Sequence, residues 1–523
     1  MFFSTLLTIS LFLFPPLFGQ EEEEPCEARS DFLPSTLVAG HVNAINGEFS
    51  DQVTDLTLSG PEPLTLGRSY GSRDHGHDLL GRSWHLNHPQ RLLLRSDECD
   101  DGFDYDAWCS EPSGAMFNYG NLFDDEIFES GDYLDLGIDL PPGSTNCSGG
   151  FPSGRTFMRN QKLFFYPVGD FCRVRTPCGD VRTFVMTGED PEDGFLMESE
   201  RKASGELFSY FFDDEEKMKS VKARTRRGRL YGDLTFCPRY YEGKSKSSPP
   251  LRELEVKGSD GSWVRYNFEV FGTCHIPGED VSKLSYLTEV ASSNNPTTRY
   301  RYEKMSGKKF WQMIGKDLPD HRGVDCEYYH RGIHEVAGRR VEIYDEEDHR
   351  LNRVKHLLGP VGHSPKRIPF CSFIYKGGGS GESGCTDLFD AMGGRVHYCY
   401  DGDHRLTALR FYGSGPKERL RCLGYVWSTS GKLLCSTIHG RLGKLHMASQ
   451  FSYDEEGNVV KERVFGNLTG HGADLPRCSP GDVPHLEGVE SYTRRFRYGP
   501  SPYRLLEREE EENGKRGKCS RPH

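Results

Sequence analysis

Four stretches of this chain carry side chains at spacings that chemistry uses. GRSYG, Gly67 to Gly71, has the G-x-S-x-G spacing of an activated serine. That serine works only on a sharp turn from strand into helix. The residues that follow, SRDHGHDLLG, are polar and turn-rich, so Ser69 is expected within a strand, without a catalytic role. RDHGHDLLGRSWHLNH gathers Asp74, His75, His77, Asp78, His85 and His88. Residues two apart on a strand share a face, so His75 and His77 would present both imidazoles together, as zinc can require. His75, His77, His85 and His88 are the candidate metal ligands, weighed against a histidine-rich loop that binds nothing. They lack the helical H-E-x-x-H pattern.

GGGSGESG contains G-x-G-x-x-G at Gly379, Gly381 and Gly384. A dinucleotide site needs a helix next, but a strand-like RVHYCYD follows. A hairpin loop is expected, and no cofactor. VKARTRRGR, Val221 to Arg229, is the one basic run, and in an acidic chain it reads as a solvated face. The 16 cysteines include no C-x-x-C pair, which argues against a zinc ribbon. Cys172 with Cys178, and Cys385 with Cys399, are close enough in sequence to pair, although sequence cannot fix connectivity. No catalytic residue is expected from any of these stretches.

The elements that must carry these residues are short strands. Gly (59), Pro (30), Tyr (25) and Phe (32) are abundant among 523 residues, a mixture suited to many strands and turns. A net charge of −13 argues against nucleic acid as a partner. Residues 1–20 are apolar from Phe2 to Phe18 except for Ser and Thr and are broken by Pro15-Pro16. They fit a cleaved secretory signal better than a spanning helix, although no Lys or Arg precedes the apolar core. No later stretch is long and apolar enough for a spanning helix. Residues 21–37 form an acidic linker. The expected location is secreted or cell envelope.

A pattern recurs downstream: aromatic, any, aromatic, Asp, two residues, a turn residue, a polar residue, aliphatic. Tyr398, Tyr400, Asp401, His404 and Leu406 fill it. So do Tyr425, Trp427, Ser428, Gly431 and Leu433; Phe451, Tyr453, Asp454, Gly457 and Val459; and Tyr210, Phe212, Asp213, Glu216 and Met218. Looser copies lie at Tyr300/Tyr302/Glu303 and at Tyr344/Asp345. The two aromatics share a strand face, Asp accepts hydrogen bonds in the turn, and the turn residue takes positive φ. Each unit is a hairpin, marginal alone and stable when stacked.

These units resemble the YD repeats of the Rhs (rearrangement hotspot) family. Residues 41–72 resemble the segment that opens Rhs proteins, through Val42-Asn43, Gly47, Thr54-Asp55-Leu56, Gly60-Pro61-Glu62-Pro63-Leu64 and Arg68-Ser69-Tyr70, followed by Gly81 and Trp84. The resemblance implies an all-β chain. An Rhs-like β domain would span residues 38–200, a YD-repeat sheet 201–500 forming a curved sheet or partial shell, and a charged tail 501–523. It also implies a delivery shell related to polymorphic toxins. The Asp-Pro-x-Gly ending of such shells is not matched, because Asp190-Pro191-Glu192-Asp193-Gly194 has one residue too many and lies early. No toxin domain is carried over.

The expected function is an exported, non-enzymatic scaffold. Its partner would be a cell-surface glycan or protein, or a separate toxin or shell chain. A metal-dependent hydrolase built on the four histidines, and a truncated Rhs fragment, are the alternatives.

Overall fold

The computed structural model describes most of residues 35–88 and 180–498. For 91–175 and 506–513 it describes strand backbone and pairing. The expected signal, most of the acidic linker, the tail beyond 513, and Asp74, His75, Cys178, Gly379, Gly381 and Gly457 lie outside the described residues. The side chains of His77 and Asp78 do too.

The described residues contain no α-helix, and the fold is all-β. From Val181–Met186 to Leu506–Asn513, successive strands pair antiparallel with their neighbours, and one hairpin stands aside. The sheet continues across residue 200 and forks there. Phe195–Arg201 pairs along its second edge with both Leu207–Phe212 and Arg91–Cys99. Among the described residues no pairing joins Leu506–Asn513 to Arg91–Cys99, and the sheet is open.

The repeat is a hairpin with one recurring closure. Asp401 N donates to Arg405 O at 3.0 Å and His404 N donates to Asp401 O at 3.0 Å. The same five-residue pattern closes 202–206, 213–217, 225–229, 258–262, 390–394, 428–432 and 440–444. The fourth residue sits at positive φ: Glu216 (60°), His404 (59°) and Gly431 (79°). The first residue uses its side chain: Asp401 Oδ1 accepts from Arg405 N at 2.9 Å, and Ser428 Oγ from Lys432 N at 2.9 Å. Serine thus replaces aspartate without changing the turn.

The aromatic before the turn locks one repeat to the previous one. Trp427 Nε1 donates to the Leu406 carbonyl at 2.8 Å, Tyr453 Oη to Leu433 O at 2.6 Å, and Tyr498 Oη to Val459 O at 2.9 Å. Each acceptor is the aliphatic residue that starts the returning strand of the preceding copy. In these copies the slot holds a large apolar body with a donor at its tip, Trp or Tyr, whereas Phe212 fills it in the 210–218 copy with a ring alone. Tyr302 makes the same kind of bond to Leu287 O at 2.6 Å. The copy expected at Tyr344/Asp345 is not one. Arg339–Ile343 pairs only with Gly332–Val336 in a separate hairpin, and Tyr344 is exposed.

Candidate functional site

Residues 35–88 form small sheets of their own, Ser50–Leu58 with Leu64–Gly71 and Trp84–Leu86 among them, and lie on one face of the large sheet. Alternation places Asp51, Asp55, Arg68, Tyr70 and Trp84 where they meet it. Arg68 Nε donates to Asp55 Oδ2 at 2.8 Å and Nη2 to Oδ1 at 3.2 Å, both side chains being almost wholly buried. Tyr266 Oη donates to Asp55 at 2.8 Å, and Arg68 Nη1 donates to Tyr300 Oη. The guanidinium lies 4.9 Å from the Trp84 ring centre and 5.2 Å from that of Tyr300. Trp84 Nε1 donates to Tyr302 Oη at 2.9 Å, so one repeat aromatic receives the segment while its own hydroxyl grips the sheet.

A second buried pair sits beside the first. Lys316 Nζ contacts both Asp51 oxygens, at 2.9 and 3.1 Å, and His41 Nδ1 lies 3.9 Å from that carboxylate. Burial alone pushes the Asp51 carboxyl up. Lys316, His41 and Arg68 outweigh it and hold the group below the usual carboxylate value. Burial also holds the His41 imidazole below its ordinary value, partly offset by Asp51. Burial raises the Tyr70, Tyr266 and Tyr300 phenols, so all three remain neutral donors or acceptors.

Backbone contacts extend the seat in both directions. Tyr231 Oη donates to Glu62 O at 2.6 Å, Met313 N to Tyr70 Oη at 2.8 Å, and Val354 N to Gly47 O at 2.8 Å. Arg353 donates to Ile45 O at 3.2 Å and to Gly378 O at 3.0 Å. Gly81 has φ 81°, and a Cβ there would stand 2.6 Å from the Ser285 carbonyl, so glycine meets both demands. These contacts run from the strand Leu230–Tyr240 to Ser364–Gly377, nine consecutive strands of the sheet, and His88 reaches beyond them to Tyr210 on Leu207–Phe212. Flat, the nine strands would be about 38 Å across at about 4.8 Å per strand. A compact 54-residue segment is roughly 26 Å across. The sheet curves to keep contact with it.

The other sequence candidates fall elsewhere. Ser69 is a buried strand residue paired in register with Gln52 and His85, and among the described residues no helix follows it. His85 is buried on Trp84–Leu86. His88 Nε2 is 2.7 Å from Thr65 O, which can only accept, so this nitrogen carries the proton. Nδ1 lies 3.3 Å from Tyr210 Oη, so both ring nitrogens face partners within the protein. Burial drives the His88 imidazole down to about 4, against the raising effect of Glu200. Among the described residues no three His, Cys, Asp or Glu side chains form a metal-binding group. Gly377–Gly384 joins two antiparallel strands, and the basic run forms the 225–229 hairpin.

Sequence reasoning missed Asp51, Tyr266 and Lys316. Asp51 and Lys316 are 265 residues apart, and no local pattern links them.

Two solved structures overlay loosely. A Photorhabdus luminescens Tc holotoxin pore aligns over 89% of this chain and 26% of its own, at 9% identity and TM-score 0.28. A porin-like protein from Bacteroides uniformis aligns over 59% of this chain and 94% of its own, at 8% identity and TM-score 0.22. No curated protein matches. Residues 39–115 match a domain of unknown function (DUF6531), which includes the seated segment from Ala39 to His88.

Proposed function

We propose that this chain is an exported, non-enzymatic β scaffold of the Rhs type. Its curved sheet serves as a wall that holds a cell-surface glycan or protein, or encloses a partner chain. The observation that carries the reading is the seat. Buried ion pairs, aromatic locks and backbone bonds tie residues 35–88 across nine strands. Asp51, Asp55, Arg68, Lys316 and Trp84 are engaged in that fastening. His88, the best-defined of the histidines, has both nitrogens engaged in it.

The test is fractionation of cells producing the chain with a C-terminal epitope, with intact-mass measurement and native mass spectrometry of the recovered protein. The proposal expects loss of the first twenty or so residues, recovery outside the cytoplasm, and a bound glycan or chain in fixed ratio. An uncleaved chain confined to the cytoplasm would overturn export. Metal-dependent turnover of a hydrolysable substrate, abolished by His88→Gln, would overturn the non-enzymatic reading.

A further inference from the structure

The hairpin of Gly384–Asp390 and Arg395–Tyr400 fixes the placement of two thiols. Asp390 N donates to Gly394 O at 3.0 Å and Gly393 N donates to Asp390 O at 3.1 Å, so Asp390 is a hydrogen-bonded position. Such positions recur at every second residue along an antiparallel pair. They fall on Leu388 with Val396, Thr386 with Tyr398, and Gly384 with Tyr400. The positions between them, Asp387 with His397 and Cys385 with Cys399, are the non-hydrogen-bonded pairs. There the Cα atoms stand about 4.5 Å apart and side chains on one face are closest. A disulfide needs a Cα separation of about 4.4–6.8 Å.

We propose that Cys385 and Cys399 are a disulfide-forming pair, closed by a glutathione-type disulfide and bridging the two strands just before the Asp401 turn. Both are thiols in this structure. Their surroundings divide the roles. Arg410 Nη1 donates to Cys399 Sγ at 3.2 Å, so negative charge on that sulfur has a partner in place. His397, next along that face, is held by Asp387 at 2.8 Å, and this bond raises its imidazole to about 9, leaving a second cation nearby. Burial pushes the Cys385 thiol up. The Arg410 contact makes Cys399 the attacking sulfur and Cys385 the resolving one.

In the first step the Cys399 thiolate attacks one sulfur of the oxidised glutathione. That S–S bond breaks and one glutathione thiolate leaves. Cys385 then gives its proton to solvent and attacks the Cys399 sulfur, expelling the second glutathione thiolate. Two protein thiols are oxidised and one glutathione disulfide is reduced to two glutathiones.

Competing pairings are geometrically poor. On its other side Cys385 faces Lys376. Cys422 is two strands from Cys399, with Leu406–Tyr412 between them. That separation is about 9.6 Å, beyond the ~7 Å limit for bridging.

The experiment equilibrates the full chain with oxidised glutathione, blocks remaining thiols with N-ethylmaleimide, and digests with trypsin without reduction. Cleavage after Lys376, Arg395 and Arg405 puts the two cysteines on separate peptides, 377–395 and 396–405. The expected result is those peptides joined, lighter by two hydrogens and separated by dithiothreitol. In Cys385→Ser, peptide 396–405 should instead carry glutathione, identifying Cys399 as the attacker. The wild-type map decides the pairing even where the variant fails to fold. Both cysteines blocked singly after oxidation, or Cys399 joined to Cys422, would overturn the proposal.

Discussion

Replacing Arg68 by Met tests the seat of the N-terminal segment at its most buried point. Met keeps much of the apolar length and removes the guanidinium. Arg68 and Asp55 side chains are 1% and 3% exposed, so water cannot take over the lost bonds. Asp55 would keep only the Tyr266 hydroxyl at 2.8 Å. Breaking a buried pair from one side costs about 3–5 kcal/mol, because the remaining charge is left without its partner. Loss of the guanidinium between the Trp84 and Tyr300 rings adds to this. Asp55→Leu should cost a similar amount. The double variant Arg68→Met/Asp55→Leu should cost less than the sum by about 1–3 kcal/mol, as expected of partners in contact. The assay is urea denaturation followed by tryptophan fluorescence, since Trp84 packs against Arg68. A single-variant loss under about 1 kcal/mol, or additive losses in the double variant, would refute the buried network.

Other outcomes follow from the same geometry. Tyr453→Phe removes the bond to Leu433 O while keeping the ring, and should lower stability by about 1 kcal/mol. An unchanged urea midpoint would refute the repeat lock. Gly81→Ala forces a Cβ toward the Ser285 carbonyl and an alanine into positive φ, for a loss of at least about 1–2 kcal/mol by the same denaturation curve. His88 is held near 4, below its unfolded value of 6.5. The unfolded chain therefore binds the extra proton, and this contribution is complete above pH 6.5 and lost as pH falls toward 4. The loss reaches about 3 kcal/mol, and stability curves measured across that window should flatten in His88→Gln.

The hairpin repeat was legible in the sequence because its turn is local. Asp, Ser and a positive-φ residue occupy fixed offsets, and the hydrogen bonds that result stay within five residues. What the aromatics do was only half legible. Burial of Tyr210, Tyr398, Tyr400 and Tyr425 agrees with their apolar slot. The bond from Tyr453 to Leu433, by contrast, joins one copy to another, which the pattern within a single copy does not encode. The opening segment was recognisable from Thr54-Asp55-Leu56, Arg68-Ser69-Tyr70 and Trp84. Its purpose was not, because Asp55 meets Tyr266 and Arg68 meets Tyr300 only after long stretches of chain have folded. His88 shows the reverse error: beside three other histidines it suggests a ligand, whereas the carbonyl of Thr65 and the hydroxyl of Tyr210 make it part of the core.

Hydrogen–deuterium exchange of the full chain, resolved to short peptides, tests the central claim most directly. If residues 35–88 are fastened into the sheet, amides within Ser50–Leu58 and Leu64–Gly71 exchange as slowly as those of Val264 to Phe268 and Tyr300 to Tyr302, since they open together. Rapid exchange in residues 50–71 beside a protected sheet would contradict the account, because a segment that opens alone is not part of the wall.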